Sequence, residues 1–233
     1  MSKKKKKPSG SGQRQATAAK PPSSVKPLIW MTVIIVAIIV FIFLGIRSGN
    51  APVKFDYGSY PTLGSADAPV KIVEFGDYKC PHCAEFSQNF VPLLEQDFIE
   101  SGRVSLHFVN FTFMEKDSRI AAVAAQSVYH QDNDAFWKYY KALFRNLDTT
   151  WTTDALVQLA KDEELGIDYD KLRQDIEAET YGDEVDGHNA LARKGKVTGT
   201  PTLFLNGKQL DSSHVIDYAV LKRTIEEALN GGT

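Results

Sequence analysis

VEFGDYKCPHCAEF, residues 73–86, decides how the rest of the chain is read, because it joins an apolar stretch to a cysteine pair and then to a helical pattern. Upstream, APVKIVEFGDY (68–78) has the Val and Ile content of a strand that ends at Gly76. Downstream, in AEFSQNFVPLLEQDF (84–98), Phe86, Phe90, Leu93, Leu94 and Phe98 recur at spacings of three and four, which predicts a helix. Pro92 within it should kink the axis. Cys80 and Cys83, the only two cysteines in 233 residues, therefore stand where a strand gives way to a helix.

RVSLHFVNF (103–111) alternates Val104, Leu106 and Phe108 with Ser105 and His107 and reads as a second strand. From about 117 to 196 the pattern is helical, with five amphipathic segments: RIAAVAAQSVYH, DAFWKYYKALFRN, TDALVQLAKDEEL, YDKLRQDIEAE and VDGHNALARKG. TPTLFLNGKQL (200–210) then brings an apolar run and an Asn206-Gly207 pair suited to a type I′ hairpin. VIDYAVLKRTIEEALNGG (215–232) closes as a helix with glycine at its C-terminal end. The order is βαβ, a helical block, then ββα, which predicts an α/β or α+β sandwich. No internal repeat is present.

The charge is split along the chain. Residues 1–50 carry nine basic side chains and no acid, leaving 18 basic against 29 acidic, or −11, for residues 51–233. Residues 1–27 lack the apolar content to offset ordering entropy and read as a disordered, basic, cytoplasmic tail. LIWMTVIIVAIIVFIFLGI, residues 28–46, is an uncharged run of 19 residues, which at about 1.5 Å per residue nearly spans the roughly 30 Å hydrocarbon layer. It is read as a transmembrane anchor, with the basic flank inside and the remainder extracytoplasmic. A cleavable signal peptide is the competing reading; its apolar region would be shorter, and RSGNAP (47–52) is a poor cleavage site. After a linker, 47–60, about 170 residues remain, enough for one domain with a sizeable core. The acidic outer part argues against nucleic acid as a partner, and Trp137, Tyr139 and Tyr140 are expected in the core rather than on a base-stacking platform.

Three chemistries compete for the cysteines. Structural zinc wants four ligands, and a c-type haem site wants histidine directly after the second cysteine; here His82 lies inside the pair and Ala84 follows it. A structural staple across about four residues contributes roughly 2 kcal/mol at best, before strain. The potentials of Cys-x-x-Cys pairs span about −270 to −120 mV, which is about 7 kcal/mol, so redox tuning is the larger effect. Placed at the first helical turn, Cys80 would have its thiolate stabilised by unpaired N–H groups and the helix dipole. Pro81 suits the first helical position. His82, when protonated, would add charge and a hydrogen bond, and Cys83, one turn inward, would be the resolving thiol.

VEFGDYKCPHCAEF together with VTGTPTLFLNG (197–207) resembles the DsbA-like branch of the thioredoxin superfamily, and with the N-terminal anchor the chain is similar to the membrane-anchored BdbD-type oxidases of Gram-positive bacteria. The resemblance covers roughly residues 58–230. It implies an α/β thioredoxin-like fold over 61–116 and 197–233, interrupted by an inserted helical domain, 117–196, and preceded by one transmembrane helix. It also implies that Thr200-Pro201 is a cis-proline loop facing the sulfurs and pairing with extended substrate. Without that context Pro201 reads as a strand-starting proline in trans. Glu74 matches a buried acid beneath the disulfide; the alternative is an exposed acid near a strand end, although its parity with Val70 and Ile72 favours burial.

The expected activity is extracytoplasmic thiol-disulfide oxidation of unfolded secreted or surface proteins by a monomer. A quinone-linked membrane re-oxidase of the BdbC or DsbB type is the implied partner, since the chain has no second cysteine pair. No cofactor is required beyond the Cys80–Cys83 pair. A reductase or isomerase and a chaperone-like binding protein with inert cysteines are the rival classes. The acid runs KDEEL (161–165) and GDEVD (182–186) lack the spacing of a calcium loop and are expected to be solvated helix faces, with an incidental calcium site as the alternative.

Overall fold

The computed structural model describes residues 26–49 and 52–231. The chain divides into two compact units, residues 1–49 and 50–233. In the first, helix α1 spans Lys26–Gly49, and its described side chains, residues 29–41, are all exposed. Among the described residues no helix is long and apolar enough to cross a membrane. The stretch 29–41 covers about 20 Å at about 1.5 Å per residue, and the span expected over 28–46 runs past both its ends. Up to residue 25, the tail expected over 1–27 lies outside the described residues.

The second unit is built on a five-stranded sheet of order β1-β3-β2-β4-β5, with β1 at Thr62–Leu63, β2 at Val70–Gly76, β3 at Val104–Asn110, β4 at Thr202–Leu205 and β5 at Lys208–Gln209. The central β2 runs parallel to β3, from Val70↔Val104 to Gly76↔Asn110, and antiparallel to β4, with Ile72 opposite Leu205. Period-2 alternation sends Val70 and Ile72 into the larger core with Leu106, Phe108 and Leu203. Val73 and Phe75 enter a second core with Val109 and Phe204. Because both faces are covered, all of β3 is buried, Ser105 and His107 included. His107 bridges Thr62 Oγ1 and Ser105 Oγ, both at 3.0 Å, and burial pushes its pKa down to about 4.

The kink expected at Pro92 takes a specific form. After α2 (Pro81–Glu85) the helix widens into a π-helical turn at Phe86–Phe90, continues as α3 (Val91–Leu94) and widens again over Glu95–Ile99. Proline has no N–H, and its ring would strike the carbonyl four residues earlier. The wider turn, in which the Val91 N–H reaches Phe86 O, accommodates it.

Between β3 and β4 lie α4 (Ser118–Gln131), α5 (Asn133–Arg145), α6 (Thr153–Asp162), α7 (Tyr169–Glu177) and α8 (Gly182–Lys194); α9 (Tyr218–Leu229) closes the chain. Asp132, Thr152, Asp168 and Asp217 start four of these helices by accepting hydrogen bonds from first-turn N–H groups. The inserted block is tied to the sheet by rings. Phe108 of β3 packs against Tyr140 of α5 at 5.1 Å and Phe144 at 6.3 Å, contacts worth about 0.5–1.5 kcal/mol each beyond burial.

One expectation needs correction. Residues 53–60, expected to be linker, belong to the folded unit: Val53 donates to Gly207 O at 2.7 Å, and Phe55 packs edge-on to Phe204 at 5.3 Å. Asn206 and Gly207 both have positive φ, as a type I′ turn requires, and a Cβ on Gly207 would collide with Val53 O. The acid runs lie where expected, each of their acids exposed or half-buried, and three of them form surface ion pairs. Glu163 pairs with Arg145 at 2.6 Å, Glu184 with His130 at 2.7 Å and Asp186 with Arg119 at 2.6 Å.

Candidate active site

Strand β2 ends at Gly76, and the turn Asp77-Tyr78-Lys79 leads directly to Cys80. The Asp77 carbonyl accepts from the Cys80 N–H at 2.9 Å. One oxygen of its carboxylate takes the Lys79 N–H at 2.9 Å, and the other takes those of Phe113 and Met114 at 2.8 and 3.0 Å. Cys80, extended at φ −90°, is the N-cap of α2, and Pro81 occupies the first turn. Cys83 lies one turn inward, fully buried, and both cysteines are free thiols. From the far end of the chain, Thr200-Pro201 arrives as a cis peptide. The Cys80 thiol donates to Thr200 O at 3.3 Å.

The two thiols are driven apart. The hydrogen bond from the Cys83 thiol is the largest influence on Cys80; with help from the Thr200 side chain and the N–H groups of Cys83 and His82, and against burial, it lowers the Cys80 pKa to about 6. The Thr200 hydroxyl is near enough to contribute but makes no well-formed hydrogen bond. Burial, reinforced by the bond to Cys80 and the charge of Glu74, holds the Cys83 thiol well above the ordinary range. The role expected for His82 is corrected in one respect. Its imidazole faces solvent, 79% exposed and 3.7 Å from Glu85, so it is the backbone N–H that serves the sulfur.

Glu74 is fully buried and near enough to both thiols for charge to be felt between them. Burial raises its pKa to about 8, against the opposing effect of a hydrogen bond from Tyr140. Lys79, whose side chain is only 5% exposed, was not singled out from the sequence. Its ammonium donates to Leu147 O at 3.1 Å and Thr149 O at 2.9 Å and lies 3.6 Å from Asp117. It thus fastens the α5–α6 loop to the cysteine turn. Nothing in the local sequence signals this, since a Lys beside an Asp and a Tyr reads as surface.

An open cleft of about 640 Å³ adjoins the pair, with His82, Thr200, Pro201, Leu203 and Ile216 in its lining. Among the described residues no group of three or more His, Cys, Asp or Glu side chains is placed to hold a metal ion. The chemistry available is that of an acidic thiol, 2% exposed and flanked by the His82 and Thr200 of the cleft lining, a fully buried partner thiol and a buried acid.

A family model described as Thioredoxin matches residues 57–227. Disulfide bond formation protein D of Bacillus subtilis is 36% identical over 187 residues, covering 79% of this chain and 82% of that protein. The probable disulfide bond formation protein D of Bacillus cereus is 32% identical over 200 residues, covering 84% and 91%. Among solved structures, oxidised BdbD from Bacillus subtilis is similar with a TM-score of 0.72 at 36% identity, covering 78% of this chain and 98% of that one. With sheet and inserted block falling inside one family match, the chain belongs to the thioredoxin family, as a DsbA-like thiol-disulfide oxidoreductase.

Proposed function

We propose that the protein is an extracytoplasmic dithiol oxidase, held to the membrane by α1, that introduces disulfides into unfolded secreted or surface proteins. The observation that carries this reading is the asymmetry of the pair: Cys80 is lowered to about 6 while Cys83 is pushed up. A stabilised Cys80 thiolate is a stabilised reduced state, so the disulfide is a good oxidant and Cys80 a good leaving group. A substrate thiolate attacks Cys80 in the Cys80–Cys83 disulfide; Cys83 leaves as a thiolate and takes a proton from Glu74. A second substrate thiolate attacks the substrate sulfur of the mixed disulfide and expels the Cys80 thiolate. Two electrons have then passed to the enzyme, and the substrate holds the new disulfide. The cleft beside cis Thr200-Pro201 receives the extended substrate.

The pair carries both electrons itself, so no further cofactor is called for. Re-oxidation falls to a quinone-linked membrane partner of the BdbC or DsbB type. Support for the tether comes from the apolar side chains of α1, which range from 48% exposed at Val40 to 80% at Phe41, and from the uncharged run 28–46. The test is oxidation of a reduced, unfolded secreted protein by the full chain. Wild type is expected to form substrate disulfides and Cys80→Ser to form none; equal rates from the two would sink the oxidase reading.

A further inference from the structure

The buried carboxyl of Glu74 treats its two oxygens differently. Oε2 accepts from the Tyr140 hydroxyl at 2.7 Å, and both residues are fully buried. Oε1 is buried with no partner among the described residues. It lies over Gly76, 3.3 Å from where a Cβ would stand, which turns it along β2 toward the strand end that leads to the cysteines. A hydroxyl donating to Oε2 leaves Oε1 as the oxygen that carries the proton when the acid is neutral. Tyr140 belongs to α5 of the inserted block, not to β2 or α2, which carry Glu74 and the cysteines. Its ring already packs against Phe144 at 4.8 Å, Trp137 at 5.0 Å and Phe108 at 5.1 Å. Phenylalanine would keep those contacts, so packing alone does not account for the hydroxyl.

We propose that Tyr140 is a positioning residue for Glu74: its hydroxyl fixes Oε2 and so presents Oε1 to Cys83 as the site of proton exchange. When Cys83 leaves the enzyme disulfide as a thiolate, the proton on Oε1 moves to Cys83 Sγ and Glu74 becomes a carboxylate. During re-oxidation the Cys83 thiol returns the proton to Oε1 as its sulfur attacks Cys80 in the mixed disulfide, expelling the oxidant's thiolate. The Tyr140 bond also stabilises the carboxylate form, opposing burial. It keeps the acid able to accept a proton as well as give one. The inserted block thereby sets the proton affinity of the redox site from outside the thioredoxin-like core.

The proposal rests on the oxidase reading for its direction of use, but its test does not. In the full-length chain, Glu74 is titrated through its labelled carboxyl carbon, and ring closure from a Cys80–glutathione mixed disulfide is followed against pH. Tyr140→Phe is expected to raise the Glu74 midpoint by about one unit, and to slow ring closure about tenfold below that midpoint with the deficit closing at high pH. A fluorinated tyrosine at 140, a stronger donor of the same shape, is expected to lower the midpoint, and it keeps the test decisive if Tyr140→Phe folds poorly. Combining Tyr140→Phe with Glu74→Gln is expected to add nothing to Glu74→Gln alone. An unchanged midpoint, a pH-independent slowing, or additive effects of the two substitutions would each overturn the proposal. Failure to oxidise protein substrates would instead sink the oxidase reading and leave the glutathione result intact.

Discussion

Cys80 owes its acidity chiefly to its partner sulfur and to the amide groups that open α2. This ranks the variants at residue scale. Cys83→Ala removes the largest influence and is expected to raise the Cys80 pKa by about one unit or more, whereas His82→Ala removes a solvent-facing, salt-screened imidazole and is expected to move it less. Thiolate absorbance against pH measures both, and a larger shift for His82→Ala would put the imidazole back at the sulfur. Much of this site was legible in the sequence. A cysteine pair between a strand and a helix, with proline at the first helical position, dictates an N-cap thiol. Where the His82 ring points was not legible, because a rotamer on an exposed turn is settled by neighbours such as Glu85. Nor was the Tyr140–Glu74 bond, which joins residues 66 apart that periodicity could only mark as buried.

At the scale of elements, the cysteine turn is clamped from two sides. Asp77 holds the 113–114 backbone, and Lys79 holds the carbonyls at 147 and 149. Lys79→Met leaves those carbonyls and Asp117 without their cation, and is expected to cost about 2–4 kcal/mol in chemical denaturation. A loss under about 0.5 kcal/mol would mean that water replaces the ammonium at no cost. The strands β2 and β3, the type I′ hairpin and the five inserted helices follow from apolar periodicity and turn chemistry, and so could be read in advance. Strand β1 could not, being two residues long and held by pairing to β3. The docking of Phe55 also escaped, since a few aromatic residues between an apolar run and a strand carry no period. Pro92 was read as a kink, but only the packed helix selects a π-helical turn as its form.

Across the whole folded unit, titration couples to stability in opposite directions. His107 and His188, both lowered by burial to about 4, contribute stability that is full above about pH 6.5 and lost as pH falls toward 4. Glu74, raised by burial to about 8, contributes stability that is full below about pH 4.5 and lost as pH rises through 8. Glu74→Gln is therefore expected to flatten the decline between pH 5 and 8 in thermal unfolding; an unaltered slope would mean that the acid ionises freely in the fold. Cysteine chemistry adds a term present only in the reduced form. The folded Cys80 pKa, about 6 against an ordinary 9, contributes stability that is full above about pH 9 and lost as pH falls through 6. The raised Cys83 begins to matter only above its ordinary range. The most direct measurement is accordingly the unfolding free energy of the dithiol form minus that of the disulfide form, followed from pH 6 to 9. It is expected to rise by roughly 3 kcal/mol across that interval, and a difference that stays level would contradict the claim that the fold holds Cys80 as a thiolate.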